Sequence, residues 1–226
     1  AVPQWIVVML VPLPNGKTDK IPCNLRTGET HVDAHNPAHW ADYATAAGVV
    51  AAWGRQFVLG FVLTARDPFW CLDIDGALQA DGTWSPLALS MCAALPGTAV
   101  EVSQSGKGLH VWGQGVVPPH SMKRVDLHAE LYSELRFIAL GHSAIGDMSR
   151  PCTEIAAFAA AYFPPRVRSG ETPQEGPRAD WRGPEDDAEL LRRAMRSQSA
   201  ASVFGGNRAS FADLWTAEAT ALARAY

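Results

Sequence analysis

The chain has 226 residues, of which 47% are hydrophobic and 19% are charged, and its formal net charge at pH 7 is −4. This composition is ordinary for a soluble globular protein, and the length allows one large domain or a domain with an appendage. A weakly negative chain has no general basic surface, so any contact with nucleic acid must come from a local cluster of cations.

The cysteines and the apolar runs indicate the compartment. The cysteines are far apart and form no Cys-x-x-Cys pair, which argues against a structural zinc site and a disulfide framework. The longest apolar run near the start is broken by Pro12 and is too short to span a membrane. We therefore expect a protein of the reducing cytoplasm with no membrane partner. Because the chain begins at Ala1 rather than Met, we also expect it to be a trimmed piece of a longer protein. The four cysteines are Cys23, Cys71, Cys92 and Cys152.

The first half of the chain contains clear strand and helix signals. Residues 17–28 contain three cations and few apolar residues, which indicates a loop. Asn36-Pro37 is typical of a capped helix start, with Gly54 at the helix end. The predicted elements are a strand over 4–13, a loop over 17–28, a helix over 37–53, a strand over 57–64 and a helix over 86–95.

Three histidines recur every four residues, at His31, His35 and His39, a spacing that would suit metal ligands on one helix. Pro37 lies between the last two and is expected at the first position of a helix, so the three would not share a helical face. We predict no metal role for them.

Two carboxylates, Asp73 and Asp75, end a short apolar run that predicts a buried strand stopping at a glycine. Side chains alternate along a strand, so both carboxylates share one face while Trp70, Leu72 and Ile74 point into the core. Two ionised carboxylates side by side repel each other unless a cation lies between them, and a hard divalent ion is the usual partner. An Asp-x-Asp at a strand end is also a common turn feature, so the motif alone leaves both interpretations open.

A glycine-rich loop over 103–108 joins two predicted strands, 98–102 and 109–113, which indicates a hairpin. The loop lacks the spacing and the following helix of P-loop nucleotide-binding proteins. Backbone amides freed by its glycines, together with Lys107, could cradle anionic oxygens. A simple hairpin turn is the alternative.

Apolar and polar residues alternate over 123–132, which predicts a half-buried strand with Asp126, His128 and Glu130 on its open face. A short turn and an apolar run over 135–142 predict its hairpin partner. The open face of the first strand is unusually rich in ionisable groups.

Composition divides the chain into two parts. A helix over 153–162 closes a first domain, 1–163, and the segment 164–184 is rich in Pro, Gly, Glu and Arg, which is typical of a linker. Two helices are predicted in 185–226, the second beginning at Ser210. Two helices bury little surface, so we expect an appendage that packs on something else or a truncated domain. The order of elements predicts an α+β (mixed α/β) fold.

Four segments, in this order, resemble the primase-polymerase branch of the archaeo-eukaryotic primase superfamily found in phages and plasmids. They are 20–28, 71–75, 101–110 and the pair formed by 130–132 and 136–137. The resemblance covers roughly residues 3–163. It implies a catalytic fold with a sheet module of the RNA-recognition-motif type, an N-terminal α/β unit and a small helical extension.

The resemblance also implies a template-directed DNA primase and DNA polymerase that adds nucleotides to a 3′-hydroxyl by a two-metal mechanism in phage or plasmid replication. Asp73, Asp75 and Glu130 would hold Mg²⁺ or Mn²⁺, and with His110 they form the implied catalytic set. Asp126 shares the predicted face of Glu130 and is the alternative third acid. The implied partners are a single-stranded DNA template, a primer, nucleoside triphosphates and a helicase domain or replisome protein, and a viral form would act in the host cytoplasm. The implied nucleotide-binding residues are Ser105, Lys107, Gly108, His110, Arg136 and Lys20.

Two other functions fit the same residues. A metal-dependent phosphodiesterase or nuclease also uses acids and a histidine, for attack by water. A replication-associated nucleic-acid-binding module could retain the fold without activity. The glycine-rich hairpin favours polymerisation, and the presence of all three acids and His110 argues against loss of activity.

Overall fold

The computed structural model describes residues 2–165, 182–184, 186–196 and 210–216. The chain divides into two compact units, Ala1–Arg166 and Val167–Tyr226. The first unit carries two antiparallel sheets together with α-helices, so the predicted α+β class is confirmed. No helix among the described residues is long and apolar enough to cross a membrane.

Ten strands and five α-helices are formed by the described residues. The strands are β1 (Trp5–Pro12), β2 (Thr18–Cys23), β3 (Phe57–Leu63), β4 (Phe69–Ile74), β5 (Ala99–Val102), β6 (Leu109–Gln114), β7 (Lys123–Arg124), β8 (Ala129–Tyr132), β9 (Arg136–Ala139) and β10 (His142–Gly146). The α-helices are α1 (Tyr43–Trp53), α2 (Pro86–Ala93), α3 (Ile155–Tyr162), α4 (Asp187–Arg196) and α5 (Phe211–Trp215). The predicted strands that became β1, β3, β5 and β6, and the helices that became α2 and α3, are confirmed to within two residues at each end.

The first sheet has the strand order β2-β1-β3-β9, with β2 at one edge. The prediction of a loop over 17–28 is therefore wrong for residues 18–23. Ile21 and Cys23 alternate inward and are buried, and an edge strand tolerates Pro22, which has no N–H to donate. Two buried residues among several charges are a weak strand signal. Such a segment can still form an edge strand, because an edge strand pairs on one side only.

The helix predicted over 37–53 begins later in the structure. Asn36 does cap the backbone N–H of Ala38, but only a 3-10 turn, Pro37–His39, follows. The chain then becomes extended, and the α-helix starts after Asp42, whose side chain accepts from the N–H of Thr45 at 2.9 Å. None of the three regularly spaced histidines lies on this helix.

The second sheet has the order β10-β5-β6-β4-β8-β7. The single strand predicted over 123–132 is wrong, because β7 and β8 are the arms of a tight hairpin joined by a 3-10 turn, Val125–Leu127. His128 adopts a left-handed backbone with φ 48°. Asp126 and His128 therefore lie in the turn and not on the strand face of Glu130.

The predicted hairpin between the strands 123–132 and 135–142 is also wrong. β9 pairs with β3 in the first sheet, and β10 pairs with β5 in the second. The chain thus passes from one sheet to the other between β8 and β9, where Leu135 has φ 52°. An apolar run identifies a strand but not its partner.

Two cores lie on the two faces of β4. Trp70, Leu72 and Ile74 are buried in a cluster that includes residues of α2 and α3, as the alternation predicts. On the opposite face, Cys71 is buried between the two sheets together with Phe61. The face that carries Cys71 also carries Asp73, because side chains alternate along a strand.

In the second unit the described residues confirm the two predicted helices as α4 and α5, and the part of the second prediction around Leu222 lies outside the described residues. The N–H of Asp213 donates to the Ser210 hydroxyl at 3.2 Å, as expected for a helix cap. Most of the predicted linker, 164–184, lies outside the described residues, and the predicted domain boundaries stay a prediction.

Candidate active site

Two adjacent rows of side chains cross the second sheet. Pairing in the ladder places Ala99, Trp112, Cys71 and Tyr132 side by side on β5, β6, β4 and β8. Two residues along each strand, a second row consists of ionisable residues and continues onto β7. This second row, the polar row, is Glu101, His110, Asp73, Glu130 and Lys123.

Strand geometry explains why the polar row forms a site. The first row is largely buried between the sheets, and residues two positions apart on a strand share a face. Directly opposed residues on antiparallel strands have Cβ atoms only about 4.5–5.5 Å apart. The polar row is therefore a continuous line of ionisable groups at the margin of the inter-sheet core.

A cleft of about 520 Å³ lies over part of this row and is lined by residues of both sheets. It brings together acids, a histidine and cations from segments far apart in the sequence. The predicted site residues that line it are Asp73, Asp75, Glu130, His110, Lys20 and Arg136.

Asp73 is the acid at the centre of the row. Burial raises the pKa of its carboxyl above the ordinary value, and the neighbouring Asp75 raises it further, against the opposing effect of His110. The His110 Nε2 atom lies 3.7 Å from the Asp73 Oδ1 atom. A bound cation would offset the repulsion between the Asp73 and Asp75 carboxylates.

Asp75 lies one residue beyond the end of β4. Its backbone N–H donates to the carbonyl of His128 at 2.8 Å, which ties the end of β4 to the turn before β8. Gly76 follows with φ 59° and turns the chain away. Asp75 is more exposed than Asp73 and still lines the cleft.

Glu130 is held by two donors on its own side of the sheet. Lys123 Nζ and the Tyr132 hydroxyl each donate to one of its carboxylate oxygens. Burial on its own raises the pKa of Glu130, but these hydrogen bonds outweigh it and the pKa lies below the ordinary value. Asp126, the alternative third acid, instead forms an ion pair with Arg124 at 2.7 Å.

The carboxylates suit a hard divalent cation in chemistry, because Mg²⁺ and Mn²⁺ prefer oxygen ligands. Among the described residues, however, no group of three or more His, Cys, Asp or Glu side chains is arranged to hold a metal ion. Lys123 and the Tyr132 hydroxyl each donate to one carboxylate oxygen of Glu130. Each oxygen keeps a second lone pair, so these hydrogen bonds do not prevent Glu130 from joining Asp73 and Asp75 around a cation.

The glycine-rich loop lies beside the cleft without lining it, as far as the described residues show. Ser105 accepts from the backbone N–H of Lys107 at 3.3 Å, and both side chains are exposed. Gly108 is buried against β4, where an added Cβ would lie 2.7 Å from the carbonyl oxygen of Ile74. Nucleotide contacts by these three residues stay a prediction.

Glu101 is a site residue to which the sequence alone assigns no role. Its Oε1 atom accepts from His110 Nδ1 at 2.7 Å and from Trp112 Nε1 at 3.0 Å. Its side chain is buried. The available signal was the hairpin itself, since counting back from a six-residue loop places Glu101 opposite His110.

The fold and the site define an α+β protein whose two sheets flank a cleft that combines carboxylates with cations. No family model matches the chain. It is 30% identical over 145 residues to the DNA primase-polymerase of Nitratiruptor phage NrS-1. The match covers 61% of this chain and 19% of the phage protein, so the chain spans about a fifth of the length of that relative. This similarity supports a relationship to a primase-polymerase.

Proposed function

We propose that the chain is the catalytic part of a DNA primase-polymerase of the archaeo-eukaryotic primase type, which extends a 3′-hydroxyl on a DNA template. The observation that carries the proposal is the single cleft lined by Asp73, Asp75, Glu130 and His110 together with cations from the other sheet. The similarity to the phage primase-polymerase supports it. Its substrates would be a single-stranded template, a primer and nucleoside triphosphates, with a helicase or replisome protein as partner, in phage or plasmid replication in the cytoplasm.

The acids supply the negative half of the site. Asp73, Asp75 and Glu130 would hold Mg²⁺ or Mn²⁺. Bound there, two such ions would activate the attacking hydroxyl and stabilise the leaving oxygen in an in-line displacement. Asp73 is paired on both sides in the ladder, so its side chain lies beside Glu130 and His110 before any substrate arrives.

The cations supply the complementary half. A triphosphate is strongly anionic, and Lys20 and Arg136 face the cleft from the first sheet, opposite the acids of the second. Arg136 is stacked 4.7 Å from the centroid of the Tyr132 ring. Charge-assisted hydrogen bonds from these groups would orient the phosphates toward the acids.

The test is incorporation of labelled nucleotides on primed and unprimed single-stranded templates with Mg²⁺ or Mn²⁺. The wild type should extend the primed template, and Asp73→Ala and Glu130→Gln should each lower incorporation by about 100-fold or more if they hold the metals. Asp126→Asn is the matched control, because Asp126 lies on the same hairpin as Glu130 but bonds to Arg124.

Three results would overturn the proposal. Absence of incorporation with either metal would exclude a polymerase, and metal-dependent cleavage of the template in its place would assign the site to a nuclease. Full incorporation by Asp73→Ala would show that the acids are misassigned. A separate readout is thermal: Mn²⁺ should raise the Tm of the wild type, since a ligand of the native state stabilises it, and should not raise that of Asp73→Ala.

A further inference from the structure

The contact between Glu101 and His110 fixes where one proton lies. An ionised carboxylate can only accept hydrogen bonds, and the indole N–H of Trp112 can only donate. The 2.7 Å separation between Glu101 Oε1 and His110 Nδ1 is therefore a hydrogen bond only when Nδ1 carries a proton. Hydrogen bonding on one ring nitrogen of a histidine decides the state of the other.

The other ring nitrogen of His110, Nε2, lies on the side of Asp73 and the cleft. His110 Nε2 lies 3.7 Å from Asp73 Oδ1, and His110 lines the cleft. The imidazole is 1% exposed, so its orientation is set by its protein partners and not by solvent. With Nδ1 bound to Glu101, the nitrogen presented toward Asp73 is Nε2.

Glu101 is itself anchored to the inter-sheet core. The Trp112 N–H donates to the same oxygen, at 3.0 Å. The Trp112 ring packs edge-on against Phe61 of the first sheet, with 6.1 Å between ring centroids. The position of the carboxylate is thus defined by the packing of the two sheets, and the carboxylate in turn defines the position of His110.

We propose that Glu101 is a positioning residue, which holds His110 with its proton on Nδ1 so that Nε2 is directed toward the nucleotide-binding side of the cleft. The catalytic consequence rests on the proposed function, whereas the tautomer does not. Glu101 lines an apolar cavity between the sheets and is not among the residues that line the cleft, so it acts on the site through its hydrogen bond to His110. Partners that orient a functional histidine in this way typically change activity by about 10–100-fold when they are replaced.

The tautomer is tested directly by NMR on protein with ¹⁵N-labelled histidine. Long-range ¹H–¹⁵N correlations distinguish Nδ1 from Nε2, and the His110 signals among the seven histidines are assigned by their loss in His110→Gln. The wild type should carry the proton on Nδ1. Glu101→Ala should move it to Nε2, and Glu101→Gln, which keeps an acceptor oxygen in place, should retain it. A wild-type ring protonated on Nε2 alone would overturn the proposal.

The kinetic test uses the same variants and a matched control. Glu101→Ala should lower kcat/KM for the incoming nucleotide by about 10–100-fold, Glu101→Gln should lower it less, and primer-template affinity should not change. Val111→Ala is the control, because Val111 is fully buried next to His110 but faces the other core. It should lower Tm without moving the proton or kcat/KM.

The two proposals fail in different ways. If the wild type incorporates no nucleotide, the proposed function is wrong, and the NMR spectra still decide the role of Glu101. If the wild type is active but Glu101→Ala retains both its Nδ1 proton and its kcat/KM, the positioning role is wrong. If Glu101→Ala does not fold, Glu101→Leu, which fills the space without an acceptor oxygen, provides the comparison, and a variant that retains both the Nδ1 proton and the kcat/KM of the wild type would reduce Glu101 to a packing residue.

Discussion

Gly108 is the residue where the glycine-rich hairpin presses on the end of β4, and its replacement by alanine should displace the site. A Cβ at this position would lie 2.7 Å from the carbonyl oxygen of Ile74 and 3.1 Å from the hydroxyl of Ser103. Ordinary van der Waals contact begins near 3.4 Å, so β6 must move from β4 by about 0.7 Å, from 2.7 to 3.4 Å. The nearest atom is backbone, which cannot rotate away.

The displacement of β6 should lower both the stability of the protein and its rate of nucleotide incorporation. Overpacking of this kind costs about 1–3 kcal/mol of unfolding free energy. For a chain of this size each kcal/mol lowers Tm by about 2–4 °C. His110 lies two residues along β6, opposite Asp73, and a misplacement of about 1 Å in a catalytic site can cost about 100-fold in rate. Nucleotide incorporation should therefore fall by roughly 10-fold or more.

The assay compares Gly108→Ala with Gly106→Ala in the same loop. A Cβ added at Gly106 would meet no heavy atom within 4 Å, but the residue has φ 71°, so its replacement strains the backbone without pushing on β4. Both variants should lose Tm in thermal unfolding, and only Gly108→Ala should lose most of its incorporation at a temperature where both are folded. Equal rates for the two variants would show that Gly108 does not set the distance between β4 and β6.

Contacts made by Ser85, Glu101 and Arg136 give three more expected outcomes. Ser85 caps α2, on the core face of the sheet, by accepting from the N–H of Ala88 at 3.2 Å, so Ser85→Ala should lower the free energy of unfolding in urea by about 1 kcal/mol and leave incorporation unchanged. Burial alone raises the pKa of Glu101, but its hydrogen bonds bring the pKa below the ordinary 4.5, so the ionised form stabilises the fold above about pH 4.5 and this stability is lost as the pH falls. The Tm of Glu101→Gln should therefore fall less steeply than that of the wild type between about pH 5 and 3. Parallel curves of Tm against pH for the two proteins would contradict this. Because a lysine cannot reproduce the planar guanidinium stacked on Tyr132, Arg136→Lys should raise the KM for the nucleotide in steady-state assays. An unchanged KM would show that Arg136 does not contribute to nucleotide binding.

The sequence predicted the face of β4 because a strand has a strict two-residue period. Trp70, Leu72 and Ile74 could only be buried together, which left Asp73 on the opposite side. The same local period could not distinguish one strand from a two-armed hairpin over 123–132, because alternation continues through a short turn. The left-handed backbone at His128 makes that turn, and the segment contains no glycine, the residue that marks this conformation most clearly.

Pairing between distant strands was beyond local patterns. Nothing in the run that became β9 indicates that its partner is β3 rather than β8, since both are apolar strands. The engagement of Glu130 by Lys123 likewise depends on the β7–β8 hairpin, so it could not be foreseen from a continuous strand. Glu101 was the more accessible omission, because its register with His110 follows from the length of one local loop.

The register of the polar row has a consequence for how the protein becomes active. Asp73 is brought beside Glu130 and His110 only by pairing of strands that are far apart in sequence, and such non-local contacts form slowly during folding. A slip of one residue in β4 would bury Asp73 and expose Leu72, which reverses both faces of the strand. Burial of the large apolar residues on the far side of β4 therefore favours the one strand register that brings the acids to the cleft. During refolding, recovery of nucleotide incorporation should accordingly report correct strand alignment. It should occur later than recovery of any signal that reports secondary structure alone.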